Sequence, residues 1–291
     1  MFVSKAAVVG AGTMGGEIAQ VIASADVPVV LKDVEQGLVE AGIEKAREVT
    51  RGQLASLVSK EKLSQDQADA RLDEVLGLIR GTTEYEGFGD VDFVVEAVPE
   101  RMEVKQAVFA ELDERTPGHA VLSSNTSALS ISEIGSATTR PAKVVGFHFF
   151  YPASVMRLIE VIEGEDTSDE TAEAAANFAM QIRKNPIRCV DAPGFVVNRV
   201  LNSAASEIWR YQDESGRSPK EIDKEIAEAK VTPMGPFYLS DLLGLDTVLH
   251  VAEHLQDSYG DRFYVHPRMR ELVEAGRLGQ KSGEGYYTHG G

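Results

Sequence analysis

Three glycines spaced as G-x-G-x-x-G lie near the start of the chain, between an apolar run at residues 6–9 and a helical pattern at residues 18–23. In a dinucleotide-binding turn the first glycine allows the bend, the second lets backbone approach phosphate, and the third lets helix and strand pack closely. The helix N-terminus then offers N–H groups and the positive end of its dipole. The predicted pyrophosphate contacts are Gly10, Gly12, Thr13, Met14 and Gly15. The alternative is an ordinary βαβ turn, since glycine-rich turns are common.

Asp33 ends the second predicted strand, residues 29–33. A carboxylate at that place accepts hydrogen bonds from the adenosine ribose hydroxyls of a dinucleotide. Its charge would repel a 2′-phosphate, so the sequence favours NAD over NADP. The neighbouring Lys32 acts in the opposite direction.

His148 and Glu160 are the residues best suited to acid–base chemistry. His148 lies in a predicted strand and Glu160 in the next one, and a short connection through Tyr151 and Pro152 can bring them side by side. A carboxylate that accepts from one imidazole nitrogen fixes the tautomer and makes the other nitrogen more basic. Such a base suits the oxidation of an alcohol, in which hydride leaves carbon while the base takes the hydroxyl proton. The alternative is a structural hydrogen bond, and the spacing alone does not distinguish the two.

Five further histidines have no evident carboxylate partner in the sequence, and we interpret them as surface or packing residues. They are His119, His250, His254, His266 and His289.

Strand and helix patterns alternate through the first two-thirds of the chain. The sequence predicts strands ending near residues 33, 97, 124, 149 and 162, with long helices over 35–59 and 63–76. Such alternation indicates an α/β fold of the Rossmann type, with a doubly wound, mainly parallel sheet. The stretch between Asp33 and Val91 is longer than a crossover needs, and we expect its helices to supply a substrate-binding surface.

The character of the chain changes after residues 187–190. Helical patterns follow, one opened by residues 193–195, another by a capping box at Ser218 with Pro219, and a third over 236–259 with a break at Gly244. We therefore predict an NAD-binding domain over residues 1–187 and an all-helical C-terminal domain over 188–291, for the substrate cleft and dimerisation.

Composition narrows the class of protein further. The 291-residue chain is 43% hydrophobic, has a net charge of −17 and contains one cysteine, Cys189. The acidic balance argues against a nucleic-acid partner, and no apolar run approaches the roughly 20 residues of a membrane helix. A single cysteine excludes an internal disulfide and a cysteine-based zinc cluster. We expect a cytoplasmic protein without a secretory signal, a membrane partner or a metal.

Seven segments, in order along the whole chain, resemble the 3-hydroxyacyl-CoA dehydrogenases. They are residues 8–19 (VVGAGTMGGEIA), 94–100 (VVEAVPE), 124–127 (SNTS), 146–150 (GFHFF), 193–199 (PGFVVNR), 233–237 (PMGPF) and 281–287 (KSGEGYY). The resemblance implies reversible, NAD-dependent oxidation of an (S)-3-hydroxyacyl-CoA to the 3-oxoacyl-CoA, in fatty-acid or short-chain acyl-CoA metabolism. It also implies a homodimer.

The resemblance further assigns roles. His148 would be the catalytic base and Glu160 its orienting partner. Ser127 and Asn198 would contact the reacting oxygen or the thioester, with Ser127 also near the cofactor. The implied nicotinamide-side contacts are Glu100, Lys105 and, from the helical domain, Lys281.

Without the resemblance, the five residues other than His148 and Glu160 have simpler interpretations. Ser127 would be a helix N-cap and Asn198 a helix cap or cross-link, while the remaining three would be solvated surface charges.

On the substrate side, the resemblance makes Lys60 a contact for the coenzyme A phosphates. Arg47 and Arg51 lie one turn apart on the same predicted helix, where a solvated charged face is an equally good interpretation. Tyr151 departs from the family, which usually has asparagine after His-Phe-Phe at a position that touches cofactor and substrate.

Two other functions compete with this one. A β-hydroxyacid dehydrogenase acting on free acids would typically use a lysine base, which the His148–Glu160 pair argues against. A non-catalytic NAD-binding protein on the same scaffold is favoured only by Tyr151, and it would bind NAD without turnover.

Overall fold

The computed structural model describes residues 2–290, which form two compact units that divide after Ala192. We call them the N-terminal unit and the C-terminal unit. The expected boundary at residue 187 falls inside the last strand, Asn185–Val190, which pairs with its neighbour along its full length. Because this strand belongs to the sheet, the boundary between the two units lies after residue 192, five residues beyond the predicted one.

The N-terminal unit is built on one eight-stranded sheet with the order β3-β2-β1-β4-β5-β6-β7-β8. Its strands are β1 (Ala6–Val9), β2 (Val29–Lys32), β3 (Ile79–Thr82), β4 (Phe93–Glu96), β5 (Val121–Ser124), β6 (Val144–Phe149), β7 (Leu158–Glu163) and β8 (Asn185–Val190). All neighbours are parallel except β6 and β7. The predicted doubly wound, mainly parallel sheet is confirmed, and its central strands are apolar because both faces are covered.

Six helices accompany this sheet. They are α1 (Thr13–Ser24), α2 (Gln36–Ser59), α3 (Gln65–Gly77), α4 (Met102–Arg115), α5 (Ile131–Gly135) and α6 (Asp169–Gln181). Ser64 and Gln67 form a capping box at the start of α3. The N-cap of α6 is Ser168, while the hydroxyl of the preceding Thr167 donates to the Val144 carbonyl oxygen at 2.6 Å.

The C-terminal unit contains α7 (Val197–Ser215), α8 (Pro219–Glu228), α9 (Pro236–Leu243), α10 (Leu245–Tyr259) and α11 (Pro267–Glu274). Apart from two isolated bridges over residues 279–288, its described residues form no strand pairing. Its core includes Trp209, Phe237 and Met269. The predicted break at Gly244 is confirmed, since this glycine has φ +96° between α9 and α10.

Across residues 2–290, no helix combines the length and the apolar character that crossing a membrane requires.

Candidate active site

The glycine turn joins β1 to α1 with little room for side chains. Gly10 has φ +97°, and a Cβ there would lie 2.5 Å from the Ala97 carbonyl oxygen. A Cβ on Gly15 would lie 1.7 Å from the Gly10 carbonyl oxygen, whereas one on Gly12 would meet nothing within 4 Å. Gly10 and Gly15 are therefore required by the close packing of the turn. Gly12 instead leaves open space in front of the helix.

The N-terminus of α1 has the chemistry of a phosphate site. Its N-cap is Gly12, no side chain caps its first N–H groups, and its first turn carries no acidic residue. Uncapped N–H groups at a helix start are donors for an anion, and the helix dipole favours negative charge there. These residues fit the pyrophosphate of a dinucleotide.

Asp33 lies beside this turn at the end of β2. Its Oδ2 accepts a hydrogen bond from the Ala11 N–H at 2.7 Å, and its Oδ1 accepts one from the Val34 N–H at 2.6 Å. Lys32 is buried, and its ammonium lies 4.5 Å from the centroid of the Tyr85 ring. The Asp33 carboxylate is thus held by two backbone N–H groups at the turn, while the Lys32 ammonium lies over an aromatic ring.

A buried charge cluster lies under the end of β4. Glu96 and Lys105 are both buried, and the Lys105 ammonium lies 2.8 Å from Glu96 Oε1. Glu96 also accepts from the Val98 N–H and the Ser124 hydroxyl, each at 2.6 Å. Such partners are what a buried carboxylate requires. Glu96 was not among the predicted site residues, although a carboxylate that ends the apolar run Val94-Val95 signals a buried partner.

Glu100 extends this cluster to the surface. Its Oε2 lies 3.2 Å from the Lys105 ammonium, and its Oε1 accepts from the Thr126 hydroxyl at 2.6 Å and the Ser127 N–H at 2.8 Å. Burial alone would raise the pKa of Glu100, but Lys105 and these hydrogen bonds together lower it. The Glu100 side chain is 38% exposed, whereas that of Lys105 is 1% exposed. Lys105 thus lies beneath the expected cofactor surface rather than on it.

The loop after β5 contributes two further groups. The Ser127 hydroxyl lies 3.3 Å from Glu100 Oε1, and the cap of α5 is Ser130, so Ser127 is not the N-cap considered from the sequence. Asn125, which was not among the predicted site residues, accepts the Phe149 N–H on its Oδ1 at 2.8 Å. This bond ties the loop to the end of β6.

His148 and Glu160 face each other in the antiparallel ladder of β6 and β7. His148 Nδ1 lies 2.8 Å from Glu160 Oε2, and both side chains are buried. The register of the hairpin creates this contact, because directly opposite residues of a ladder have their Cβ atoms about 4.5–5.5 Å apart. The pair lies toward the carboxyl ends of the parallel strands, the same edge as the glycine turn, which is where ligands bind in open α/β sheets.

The expected substrate-side residues lie on exposed segments. Tyr151 follows β6 and is 59% exposed, and Lys60 is the exposed C-cap residue of α2. Arg47 pairs with Glu44 on the same helix at 3.0 Å, which fits the solvated-face interpretation, and Arg51 is exposed.

In the C-terminal unit, Asn198 occupies the first turn of α7, where its carbonyl oxygen accepts from the Asn202 side chain at 2.9 Å. Lys281 follows α11, and its ammonium reaches the first turn of α10, where it lies 2.8 Å from Asp246 Oδ1 and 3.1 Å from the Thr247 hydroxyl.

The expectation that the other histidines lack a carboxylate partner is wrong for two of them. His119 Nε2 lies 3.2 Å from Asp92 Oδ1, and His289 Nε2 lies 2.8 Å from Asp241 Oδ2. Within the described part of the chain, no group of three or more His, Cys, Asp or Glu side chains is arranged to hold a metal ion.

Comparison with known proteins identifies both units. Residues 5–192 match the family described as 3-hydroxyacyl-CoA dehydrogenase, NAD binding domain, and residues 194–289 match 3-hydroxyacyl-CoA dehydrogenase, C-terminal domain. A probable 3-hydroxybutyryl-CoA dehydrogenase of Deinococcus radiodurans is 40% identical over 98% of this chain and 100% of its own length. The fatty acid oxidation complex subunit alpha of Pseudomonas savastanoi pv. phaseolicola is 41% identical over 99% of this chain, which spans 39% of that subunit.

A solved structure agrees with these matches. The (S)-3-hydroxybutyryl-CoA dehydrogenase PaaH1 from Ralstonia eutropha superimposes with a TM-score of 0.91 and 36% identity, covering 100% of both chains. The sequence matches span both units, and the structural match extends over the whole chain. The chain therefore belongs to the 3-hydroxyacyl-CoA dehydrogenase family.

Proposed function

We propose that His148 takes the hydroxyl proton when this NAD-dependent 3-hydroxyacyl-CoA dehydrogenase oxidises its substrate to the 3-oxoacyl-CoA. The observation that carries the proposal is the 2.8 Å contact between His148 Nδ1 and Glu160 Oε2. A carboxylate at Nδ1 holds the proton there, so Nε2 has the lone pair that accepts the substrate proton. Glu160 also stabilises the imidazolium that forms. In the reverse direction the imidazolium returns the proton to the carbonyl oxygen.

NAD, when bound, accepts the hydride that leaves the substrate carbon. Its pyrophosphate would be held at the turn and first helical residues formed by Gly10, Gly12, Thr13, Met14 and Gly15. Asp33 would accept from the adenosine ribose, and its charge supports NAD over NADP. The uncapped N-terminus of α1 supports this assignment.

Glu100 and Ser127 would line the nicotinamide side of the cofactor. The hydrogen bonds of Glu100 to Thr126 and Ser127 support a fixed position for its carboxylate. Lys105 would act through Glu100, because its ammonium is enclosed between two carboxylates. We also assign Lys281 to the cofactor, as the resemblance implies.

The substrate would be bound by hydrogen-bond donors and by a cation. Ser127 and Asn198 carry a hydroxyl and an amide, which can donate to an oxygen that gains negative charge. Lys60 would meet the coenzyme A phosphates, and Tyr151 would border the acyl group.

We further propose a homodimer formed through the C-terminal unit and a cytoplasmic location. Large apolar side chains of that unit are exposed, including Val200, Leu201, Val231 and Leu243 at 53–72% exposure. Pairing of two copies would remove such apolar side chains from water. Light scattering at micromolar concentration would return a mass near twice 31.5 kDa if the unit pairs.

The experiment that tests the activity is NADH oxidation with acetoacetyl-CoA, beside NADPH and beside free acetoacetate. We expect turnover with NADH and the thioester only. His148→Gln should lower kcat/KM by about 10²–10⁴-fold, the usual size of a general acid–base contribution. The matched control is His119→Gln, an exposed histidine that also contacts a carboxylate and lies before β5, at the opposite edge of the sheet.

Two outcomes would contradict the proposal. NADH binding, measured by its fluorescence, without turnover by the native protein would favour a non-catalytic NAD-binding protein. Faster reduction of the free acid than of the thioester would favour a β-hydroxyacid dehydrogenase.

A further inference from the structure

Eight residues, 150–157, connect β6 to β7 and therefore join the strand of His148 to the strand of Glu160. We call this segment loop 150–157. It carries Tyr151, and it lies at the carboxyl end of β6, the edge of the sheet that also holds the glycine turn. Its middle is closed by hydrogen bonds from the Val155 and Met156 N–H groups to the Pro152 carbonyl oxygen, at 3.0 and 2.9 Å.

A buried carboxylate from α1 is hydrogen-bonded to this loop. Glu17 Oε2 accepts from the Ser154 N–H at 3.2 Å and from the Ser154 hydroxyl at 3.3 Å. Glu17 is buried, directly follows the glycines at 15 and 16, and has the Lys45 ammonium 3.5 Å from its Oε1. The helix that begins at the glycine turn is thus bonded to loop 150–157.

A buried ammonium also holds this loop. Lys184 directly precedes β8, is 6% exposed, and donates to the carbonyl oxygens of Ala153 at 2.5 Å and Met156 at 2.8 Å. Burial lowers the pKa of Lys184, and Arg157 adds to that effect while Glu17 opposes it. Burying an ammonium costs free energy, and the hydrogen bonds to the two loop carbonyls offset part of that cost. Moving the loop away would leave the ammonium without these partners.

We propose that Glu17 and Lys184 are positioning residues that clamp loop 150–157 and thereby fix Tyr151 on the substrate side of the His148–Glu160 pair. This rests on the proposed function for the identity of the substrate. The clamp holds the loop itself, through Ser154 on one hand and the carbonyl oxygens of Ala153 and Met156 on the other, rather than through residues of the ladder. It therefore determines where Tyr151 meets the acyl-CoA, while the ladder itself keeps His148 against Glu160.

The first test separates KM from kcat in four variants. Glu17→Ala and Lys184→Met should raise the KM for acetoacetyl-CoA about 10-fold, with kcat and the KM for NADH within about 3-fold of native values. Glu17→Gln keeps an oxygen for the Ser154 N–H and should recover most of the native KM. Arg140→Met is the control, because Arg140 also donates to backbone carbonyls but precedes β6 at the opposite edge. It should lower the melting temperature without changing KM.

A double variant tests whether the clamp acts through Tyr151. If it does, Tyr151→Ala combined with Lys184→Met should have a KM within about 2-fold of Tyr151→Ala alone. Tyr151→Ala already removes the side chain that the clamp positions, so the effects of the two substitutions on KM should not add. Unchanged KM values in Glu17→Ala and Lys184→Met, with only the melting temperature lowered, would overturn the proposal.

Hydrogen exchange gives a readout that needs no turnover. The amides of residues 153–156 should exchange about 10-fold faster in Glu17→Ala and Lys184→Met than in the native protein, and unchanged in Arg140→Met. If the native protein fails to reduce acetoacetyl-CoA, the proposed function fails, and the exchange rates still decide whether the clamp exists. Native exchange rates in both clamp variants would contradict it.

Discussion

Two histidine–carboxylate pairs in this protein have the same contact distance but different surroundings. His148 and Glu160 meet at 2.8 Å in the N-terminal unit, and His289 and Asp241 meet at 2.8 Å in the C-terminal unit. Both carboxylates are fully buried. Distance and burial alone do not separate a proposed catalytic pair from a structural one.

The other partners of the two carboxylates make the difference. Asp241 also accepts the N–H groups of Tyr286 and Tyr287, at 2.9 and 2.8 Å, so it anchors the segment that contains His289 onto α9. Glu160 instead lies in a β-ladder opposite His148, toward the edge of the sheet where the glycine turn and Glu100 are found. Since the pair geometry is common to both, our proposed assignment of the catalytic role to His148 and Glu160 rests on their location in the sheet.

Replacing each carboxylate by its amide tests this assignment most sharply. Glu160→Gln puts an N–H donor or a weaker acceptor against Nδ1, which favours the wrong tautomer, so kcat should fall about 10²–10³-fold. Asp241→Asn should leave kcat within about 2-fold once the fraction of folded protein is equal. Steady-state kinetics with acetoacetyl-CoA and NADH measures both. Equal losses of kcat would contradict the assignment of a catalytic role to Glu160 and a structural role to Asp241.

Truncating the structural carboxylate should affect stability instead. Asp241→Ala leaves two backbone N–H groups and the His289 ring without their acceptor, and each unsatisfied buried donor costs about 1–3 kcal/mol. We expect the free energy of unfolding of the C-terminal unit to fall by about 3 kcal/mol. His289→Ala, which removes one of the three bonds, should cost about 1 kcal/mol. Urea unfolding followed by the fluorescence of Trp209, the single tryptophan, reports this unit directly.

We expect a third histidine to make the C-terminal unit sensitive to acid. His266 is buried, its Nδ1 accepts the Arg268 N–H at 3.0 Å, and its Nε2 lies 2.5 Å from Gln212 Oε1. Burial lowers its pKa from 6.5, while Asp213 and Glu271 oppose the shift. The unfolded chain therefore binds a proton more readily, so this contribution to stability is complete above about pH 6.5 and is lost as pH falls below it.

The expected loss between pH 7 and 5.5 is about 1 kcal/mol, because one proton changes stability by at most about 1.4 kcal/mol per pH unit. His266→Asn keeps a side-chain acceptor at the N-cap of α11 and cannot titrate. Urea unfolding at several pH values should give a flatter slope for this variant. An unchanged slope would mean that other groups determine the acid sensitivity.

The sequence predicted the parts of this structure that depend on local pattern. The glycine turn, the parallel sheet, the break at Gly244 and the pairing of His148 with Glu160 follow from spacing and alternation. By contrast, β8 was missed because an edge strand is only half covered and does not show a continuous apolar run. Contacts between distant segments, such as His289 with Asp241 or Lys184 with loop 150–157, depend on tertiary packing that no local pattern encodes.

Lys105 illustrates the same limit within the proposed site. The motif suggests that it lies near the cofactor, but only the folded position of α4 puts its ammonium between Glu96 and Glu100. The position of Lys105 near the site was predicted, but the burial of its side chain was not. A periodic pattern does not show how far a long side chain reaches into the protein.

Lys281 provides the smallest of the expected effects. Its exposed pair with Asp246 contributes under about 1 kcal/mol, as surface ion pairs usually do, so Lys281→Met should barely change the free energy of unfolding. If Lys281 reaches NAD, the KM for NADH should rise by about 3- to 10-fold with kcat unchanged. Arg277→Met is the matched control, since Arg277 pairs with Glu284 on the same C-terminal segment at 3.4 Å. Equal KM values in both variants would assign Lys281, like Asp241, to the structure of the C-terminal unit alone.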